Sequence, residues 1–165
     1  MKKQLFFIFL FWLAGIATVS ATGLQLSLKL PPQVGEYHNP YVAVWIEDTS
    51  GKSVRTLVLW REGSKWLKDI RRWWRKVGRK DESLVDAVTS ATRAAGSYQL
   101  SFQAFDDDKK NLAAGDYILH IEVVRENGGR GIIKQKFTLN GTSQTFHLES
   151  NAEIEKSIFT IKEKQ

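Results

Sequence analysis

The sequence contains no cysteine. That absence removes a disulfide framework, a thiol nucleophile, a Cys-ligated iron–sulfur cluster and covalent haem attachment in one step. Histidine is scarce as well. His38, His120 and His147 are scattered, with no H-x-H or H-x-x-x-H spacing, so nothing in their arrangement points to a metal site. Gly-x-Ser-x-Gly, HExxH and P-loop patterns are missing, which argues against a self-contained hydrolase or nucleotidase. There is no internal repeat, no low-complexity tract and no linker-like composition to divide the chain.

One apolar run is present, at the N-terminus, and no second one follows. Met1-Lys2-Lys3 is a short basic start, residues 5–16 are almost unbroken in apolar character, and Val19-Ser20-Ala21 supplies small residues at the right spacing for cleavage. Residues 1–21 therefore read as a signal peptide, and residues 22–165 as a single domain released into the periplasm of a bacterial cell envelope. A domain of that size can bury roughly two-thirds of its unfolded surface. The formal charge of the whole chain is +6, and loss of Lys2 and Lys3 leaves a modestly basic mature form. Such a balance suits phosphate groups or an anionic lipid surface, whereas nucleic acid is not an expected ligand outside the cytoplasm.

Period-two patterning dominates what remains. Residues 24–30 alternate Leu-Gln-Leu-Ser-Leu-Lys-Leu and end at Pro31-Pro32. Residues 41–47 and 54–60 are two further strands, joined by Asp48-Thr49-Ser50-Gly51-Lys52 as an antiparallel hairpin. Residues 98–104 and 116–125 flank an acidic loop containing Asp106, Asp107 and Asp108, and read as a second hairpin. A turn at residues 127–131 leads to strands over 132–139, 142–148 and 153–161. Between the two hairpins the period changes: Trp66, Ile70, Trp73 and Val77 recur at helical spacing, with Lys68, Arg71, Arg72, Arg75 and Arg79 on the other face. This predicts one helix over 64–78, with Ser64 as N-cap, Gly78 as stop, Trp66, Ile70 and Trp73 in the core, and most of the cations solvated. Ser83 or Asp86 is placed to cap a short helical turn after it. Eight strands and one helix give a mainly β fold, an immunoglobulin-like β-sandwich with one inserted amphipathic helix.

The segment Asp86-Ala87-Val88-Thr89-Ser90-Ala91-Thr92 resembles the Asp-x-x-(Ser/Thr)-Gly-Ala-(Ser/Thr) signal of bacterial proteins that carry FMN as a phosphoester on the last hydroxyl residue. In those families a periplasmic flavin transferase takes FMN from FAD and attaches its phosphate there. The resemblance makes Thr92 the acceptor and Asp86, Thr89 and Ala91 the matching signal positions. Ser90 departs from the pattern by replacing Gly, and if that position requires a positive φ a Ser there is strained. The order of hairpin, Trp-rich basic segment, Asp-Ala-Val-Thr-x-Ala-Thr, Gly-x-Tyr-x-Leu-x-Phe, Ala-Gly-Asp-Tyr and late Asn-Ala-Glu-Ile is similar to a family of predicted periplasmic proteins of uncharacterised function. Members of that family accompany membrane redox proteins and flavin transferases, which implies electron transfer outside the cytoplasm. Residues 96–117 also resemble the immunoglobulin-like hairpin of flagellar hook cap proteins, a likeness that bears on fold alone.

Two functions of different class follow. In one, Thr92 holds FMN, Trp74 stacks on the isoalloxazine ring, Arg71 and Arg75 neutralise its phosphate, and electrons pass to or from a membrane redox protein. In the other, a cofactor-free immunoglobulin-like module of the envelope uses the basic helix to dock on an acidic partner or an anionic surface. Both make the protein a carrier or a binding module rather than a catalyst in the usual sense. Protein recovered from the periplasm is expected to begin at Thr22 on N-terminal sequencing. A start at Met1 would mean that the apolar run is retained as an anchor.

Overall fold

The computed structural model describes residues 22–35, 38–126 and 128–163. The leader read from residues 1–21, and Asn127 of the expected turn, lie outside these. The described chain is mainly β, with nine strands in two sheets. The first sheet has the order β5-β1-β9-β8, formed by β1 (Gly23–Leu30), β5 (Gly96–Gln103), β8 (Gln144–Leu148) and β9 (Ser157–Lys162). The second has the order β4-β3-β2-β6-β7, formed by β2 (Tyr41–Asp48), β3 (Ser53–Trp60), β4 (Thr89–Ser90), β6 (Gly115–Val124) and β7 (Arg130–Leu139).

The alternation in β1 decides which of its faces is buried: Leu24, Leu26, Leu28 and Leu30 all point into the space between the sheets. There they meet Val42, Val44 and Ile46 of β2, Leu119, Ile121 and Val123 of β6, and Phe159 and Ile161 of β9. Each such side chain contributes about 1.5–3 kcal/mol by leaving water. Strand β2 is buried on both faces, because Tyr41, Ala43 and Trp45 point away from that core into a second one. The second core is closed by Leu67, Ile70, Trp73, Val77 and Val85. The molecule is thus three layers deep: sheet, sheet and a short helical cover.

That cover differs from the single helix expected over residues 64–78. It consists of a 3-10 turn at Leu67–Asp69, α1 (Arg71–Lys76), a second 3-10 turn at Gly78–Lys80 and α2 (Glu82–Val88). The apolar positions fall at the expected spacing, but the backbone breaks at Ile70 (ψ 68) and Val77 (φ −123), and the apolar side chains Leu67, Ile70, Trp73 and Val77 stay in the second core on both sides of the breaks. Ser64 caps nothing. The N-terminus of α1 is capped from outside, by the Glu122 carboxylate of β6, which accepts from the N–H groups of Arg72 (3.1 Å) and Trp73 (3.0 Å). Helix α2 is capped by Asp81, which accepts from Leu84 N–H at 2.9 Å, in place of Ser83 or Asp86. Ile70 and Trp73 are fully buried as expected, whereas Trp66 is only half-buried.

The second expected hairpin is absent from the fold. Strand β5 pairs with β1, while β6 pairs with β2 and β7 in the other sheet, so residues 104–114 cross from one sheet to the other. The reason lies in the side chains: β6 is buried on both faces and needs a central position, whereas every second residue of β5 is exposed and suits an edge. The crossing is closed locally by a bridge between Phe105 and Asn111 and by Leu112 N–H donating to Ala104 at 2.8 Å.

The two strands on either side of that crossing start with one device. Gly96 (φ 153) and Gly115 (φ 152) open β5 and β6 in a conformation that side-chain-bearing residues rarely adopt. Two residues on, Tyr98 and Tyr117 each donate a hydroxyl hydrogen bond to the carbonyl four residues back, on Ala94 (2.5 Å) and Ala113 (2.9 Å). The Asn-Ala-Glu-Ile motif is structural as well. Strand β9 starts only at Ser157, and before it Asn151 Oδ1 accepts from the N–H groups of Glu153 (3.0 Å) and Ile154 (3.1 Å). Glu153 in turn takes a two-pronged bond from Arg125 at the end of β6, joining the two sheets.

Substituting Asn151 by Ala leaves two backbone donors beside the buried Ile154 without their acceptor. The expected loss is about 1–3 kcal/mol in urea unfolding, with the midpoint shifted and the slope unchanged.

Candidate functional site

Strand β3 ends in Leu59-Trp60, and its open edge is taken by β4, two residues running parallel to it, with Leu59 opposite Thr89 and Trp60 opposite Ser90. The pairing is continued by Arg61 N–H donating to the Ser90 carbonyl at 2.9 Å. The sequence-predicted segment 86–92 therefore begins on α2, crosses the edge of the second sheet and leaves it at Ala91 without regular structure. Ser90 lies in extended backbone, since Lys109 (φ 64) is the one non-glycine residue with positive φ among those described. The replacement of Gly by Ser at this position brings no backbone strain.

The hydroxyls of the segment are not equivalent. Thr89 Oγ1 donates to Val85 carbonyl (2.6 Å) and accepts from Arg61 Nε (3.0 Å). Arg61 also reaches Asp86 Oδ1 at 3.2 Å; this guanidinium is largely buried, while Asp86 is 71 % exposed. Thr92 is half-buried, and its hydroxyl makes no hydrogen bond among the described residues. The next residue, Arg93, lays its guanidinium over the rings of Trp60 (4.4 Å) and Tyr98 (5.4 Å). Arg61 and Arg93 were not legible as parts of the site, because only the β3–β4 pairing and the return to β5 bring them beside it.

Beside this edge lies a cleft of about 630 Å³, lined by Arg61, Leu67, Trp74, Arg79, Val85 and Asp86 among others. Trp74 and Asp86, expected at one site, do share it. Arg71 and Arg75 do not: both are exposed on α1 outside the cleft, with Arg75 Nε donating to the Arg71 carbonyl. Arg72, expected among the solvated cations, is spent inward on Glu47. The position of Trp74 depends on Gly78, where an added Cβ would fall 2.6 Å from its ring.

Under the helical cover is a buried polar cluster that sequence reasoning did not assemble. Glu47 Oε1 accepts from Trp45 Nε1 (3.0 Å) and Glu47 Oε2 from Arg72 (2.9 Å). His120 stacks on Trp45 with ring centroids 4.7 Å apart, and its Nε2 stands 3.3 Å from Glu47 Oε2 but out of line for a hydrogen bond. Glu122, besides capping α1, accepts from Arg130 Nε at 2.7 Å. Burial acts to raise the Glu47 carboxyl, but the bonds from Trp45 and Arg72 outweigh it and hold the group below the ordinary carboxylate range. Burial pushes His120 down to about 4, with Arg72 and Lys134 acting in the same sense and Glu47 opposing, so the imidazole is neutral at physiological pH.

The sequence profile of one family, described as predicted periplasmic protein (DUF2271), matches residues 23–156. The chain belongs to this family. No curated protein and no solved structure matches it. The periplasmic compartment of the family agrees with the leader read from the first residues.

His120 sets a pH dependence. Its folded value of about 4 lies below the ordinary 6.5, so between these pH values the unfolded chain binds a proton that the folded one refuses. The stabilisation is complete above pH 6.5 and is lost as pH falls toward 4. Urea unfolding at pH 5 against pH 7.5 is expected to show a loss on the order of 2 kcal/mol, and His120→Phe, which keeps the stack on Trp45, should flatten that component.

Proposed function

We propose that the protein is a periplasmic redox carrier holding FMN through a phosphoester on Thr92, loaded by a flavin transferase and exchanging electrons with a membrane redox protein. One observation carries the reading: within the segment that matches the attachment signal, the Thr89 hydroxyl is committed twice, whereas that of the expected acceptor, Thr92, is uncommitted and sits in chain free of sheet and helix. Attachment forms a bond from Thr92 Oγ to the FMN phosphorus and breaks the bond to AMP in FAD, the hydroxyl proton passing to a base of the transferase. Irregular backbone at residues 91–94 favours entry into a second protein's active site, and the extended Ser90 makes glycine unnecessary there.

Bound FMN would supply one- and two-electron transfer, and the domain's part is to hold and shelter it. Arg93 and Arg61 provide positive charge for the phosphate next to the acceptor, in place of Arg71 and Arg75, which lie outside the cleft. The cleft beside Asp86 offers an indole face, Trp74, with Leu67 and Val85 as apolar walls, a composition that suits a planar ring.

We infer in addition that the two sheets are of immunoglobulin-like kind. The tyrosine hydroxyls bonded to upstream backbone at the starts of β5 and β6 resemble the tyrosine corner of such folds. The same architecture supports the second reading, a cofactor-free binding or assembly module, favoured by a cationic helical face that the flavin does not use.

The test is intact mass of protein exported from cells that contain a periplasmic flavin transferase. The carrier reading expects an added FMN phosphoryl unit in the wild type and in Ser90→Ala, and its loss in Thr92→Ala. An unmodified mass beside an active transferase overturns it and leaves the binding module.

A further inference from the structure

Residues 65–80 hold eight of the chain's 24 Lys and Arg and one of its 18 Asp and Glu. Two of these cations are committed within the fold: Arg72 to Glu47, and Lys76 to the Gly51 carbonyl at 2.8 Å. The side chains of Lys65, Lys68, Arg71, Arg75, Arg79 and Lys80 are exposed. They stand on the outside of a helical layer whose inner side is fixed by Leu67, Ile70, Trp73 and Val77 in the second core and by Glu122 at the start of α1. The cations are thus presented on a rigid platform.

Two indoles lie in the same layer. Trp66 and Trp74 are both half-buried, and Lys65 Nζ sits 4.3 Å over the Trp66 ring. Indole rings flanked by Lys and Arg are the side-chain mixture that settles at the headgroup level of a bilayer, where an apolar body and a wet edge are both accommodated. The outer face of the first sheet contrasts with this. Gln25, Ser27, Gln99, Ser101, Thr145 and Thr160 make much of it neutral, and of its two lysines, Lys29 is paired with Glu155 while Lys162 is exposed, so cations are sparser there than on residues 65–80.

We propose that residues 65–80 of the helical layer, apart from the acidic start of α2 at Asp81 and Glu82, form a membrane-docking face, and that its partner is an anionic phospholipid surface. Attraction falls off within a Debye length, about 10 Å at moderate salt, so a concentrated, outward-facing group of cations gains more from a charged plane than the same charges dispersed. The protein docks reversibly rather than inserting: no helix among the described residues is long and apolar enough to cross a membrane. This proposal does not depend on the flavin.

The experiment uses mature protein without flavin and sediments it with phosphatidylcholine vesicles, with and without phosphatidylglycerol. Binding is expected only where phosphatidylglycerol is present, and should weaken as salt is raised. The variant K65E/K68E/R71E/R75E, altered only at exposed side chains, should melt like the wild type and bind about tenfold more weakly or worse. Trp66→Ala should reduce binding without changing its salt dependence. No sedimentation with anionic vesicles, equal sedimentation with neutral ones, or undiminished binding of the charge-reversed variant overturns the proposal; the first of these would turn the face toward an acidic protein instead.

Discussion

The helical layer exists because a buried carboxylate holds its first turn. A helix of six residues has too few internal hydrogen bonds to offset the entropy of nucleation, and α1 carries four cations in those six positions with no acid among them. Glu122 supplies what the local sequence cannot. Its oxygens take two of the unpaired N–H groups at the start of α1 and the Arg130 guanidinium from β7, so no charge is left unpaired in the core. Glu47, on the neighbouring strand β2, accepts in the same way from the Arg72 guanidinium and the Trp45 indole. With the backbone of α1 fixed at this point, the apolar side chains drop onto β2 and the remaining cations are left facing outward. Neutral His120 completes the arrangement by filling the space beside Glu47 without adding a second charge.

Much of the fold was legible. The alternation of residues 24–30 located β1 and its buried face, the apolar character of 41–47 located β2, and all eight expected strands are present with ends shifted by a few residues. Two things were not legible, for one physical reason. The strands on either side of the acidic loop looked like a hairpin because adjacent strands usually pair, but pairing is decided by how many faces of each strand must be buried. Strand β6, like β2, is buried on both faces despite His120 and Glu122, and that need for a central position outweighs adjacency. The helical period was likewise real, but period alone does not say whether the element is one cylinder or several turns laid on a sheet. The break at Ile70 depends on Glu122, fifty residues further along the chain.

The polar cluster illustrates the same limit. Glu47, His120 and Glu122 sit in apolar strands at alternate positions, a pattern that marks something buried and polar, yet their partners Arg72, Trp73 and Arg130 come from elements that sequence cannot dock. For the segment 86–92 the sequence does not separate its hydroxyls. It takes Arg61, at the end of β3, to distinguish Thr89 from Thr92.

The location of that segment follows from the same layering. Residues 89–95 carry the chain from the helical cover to the first sheet. The start of the passage is fixed by β4 against β3 and by Arg61, and its end by Tyr98 holding the Ala94 carbonyl. Between these anchors Ala91, Thr92 and Arg93 have no backbone partners in a sheet or helix, and Arg93 is steadied only through its guanidinium over Trp60 and Tyr98. A loop fixed at both ends has little entropy to lose when a second protein engages its middle. It can be approached without unfolding either layer, since neither core is closed by Ala91 or Thr92.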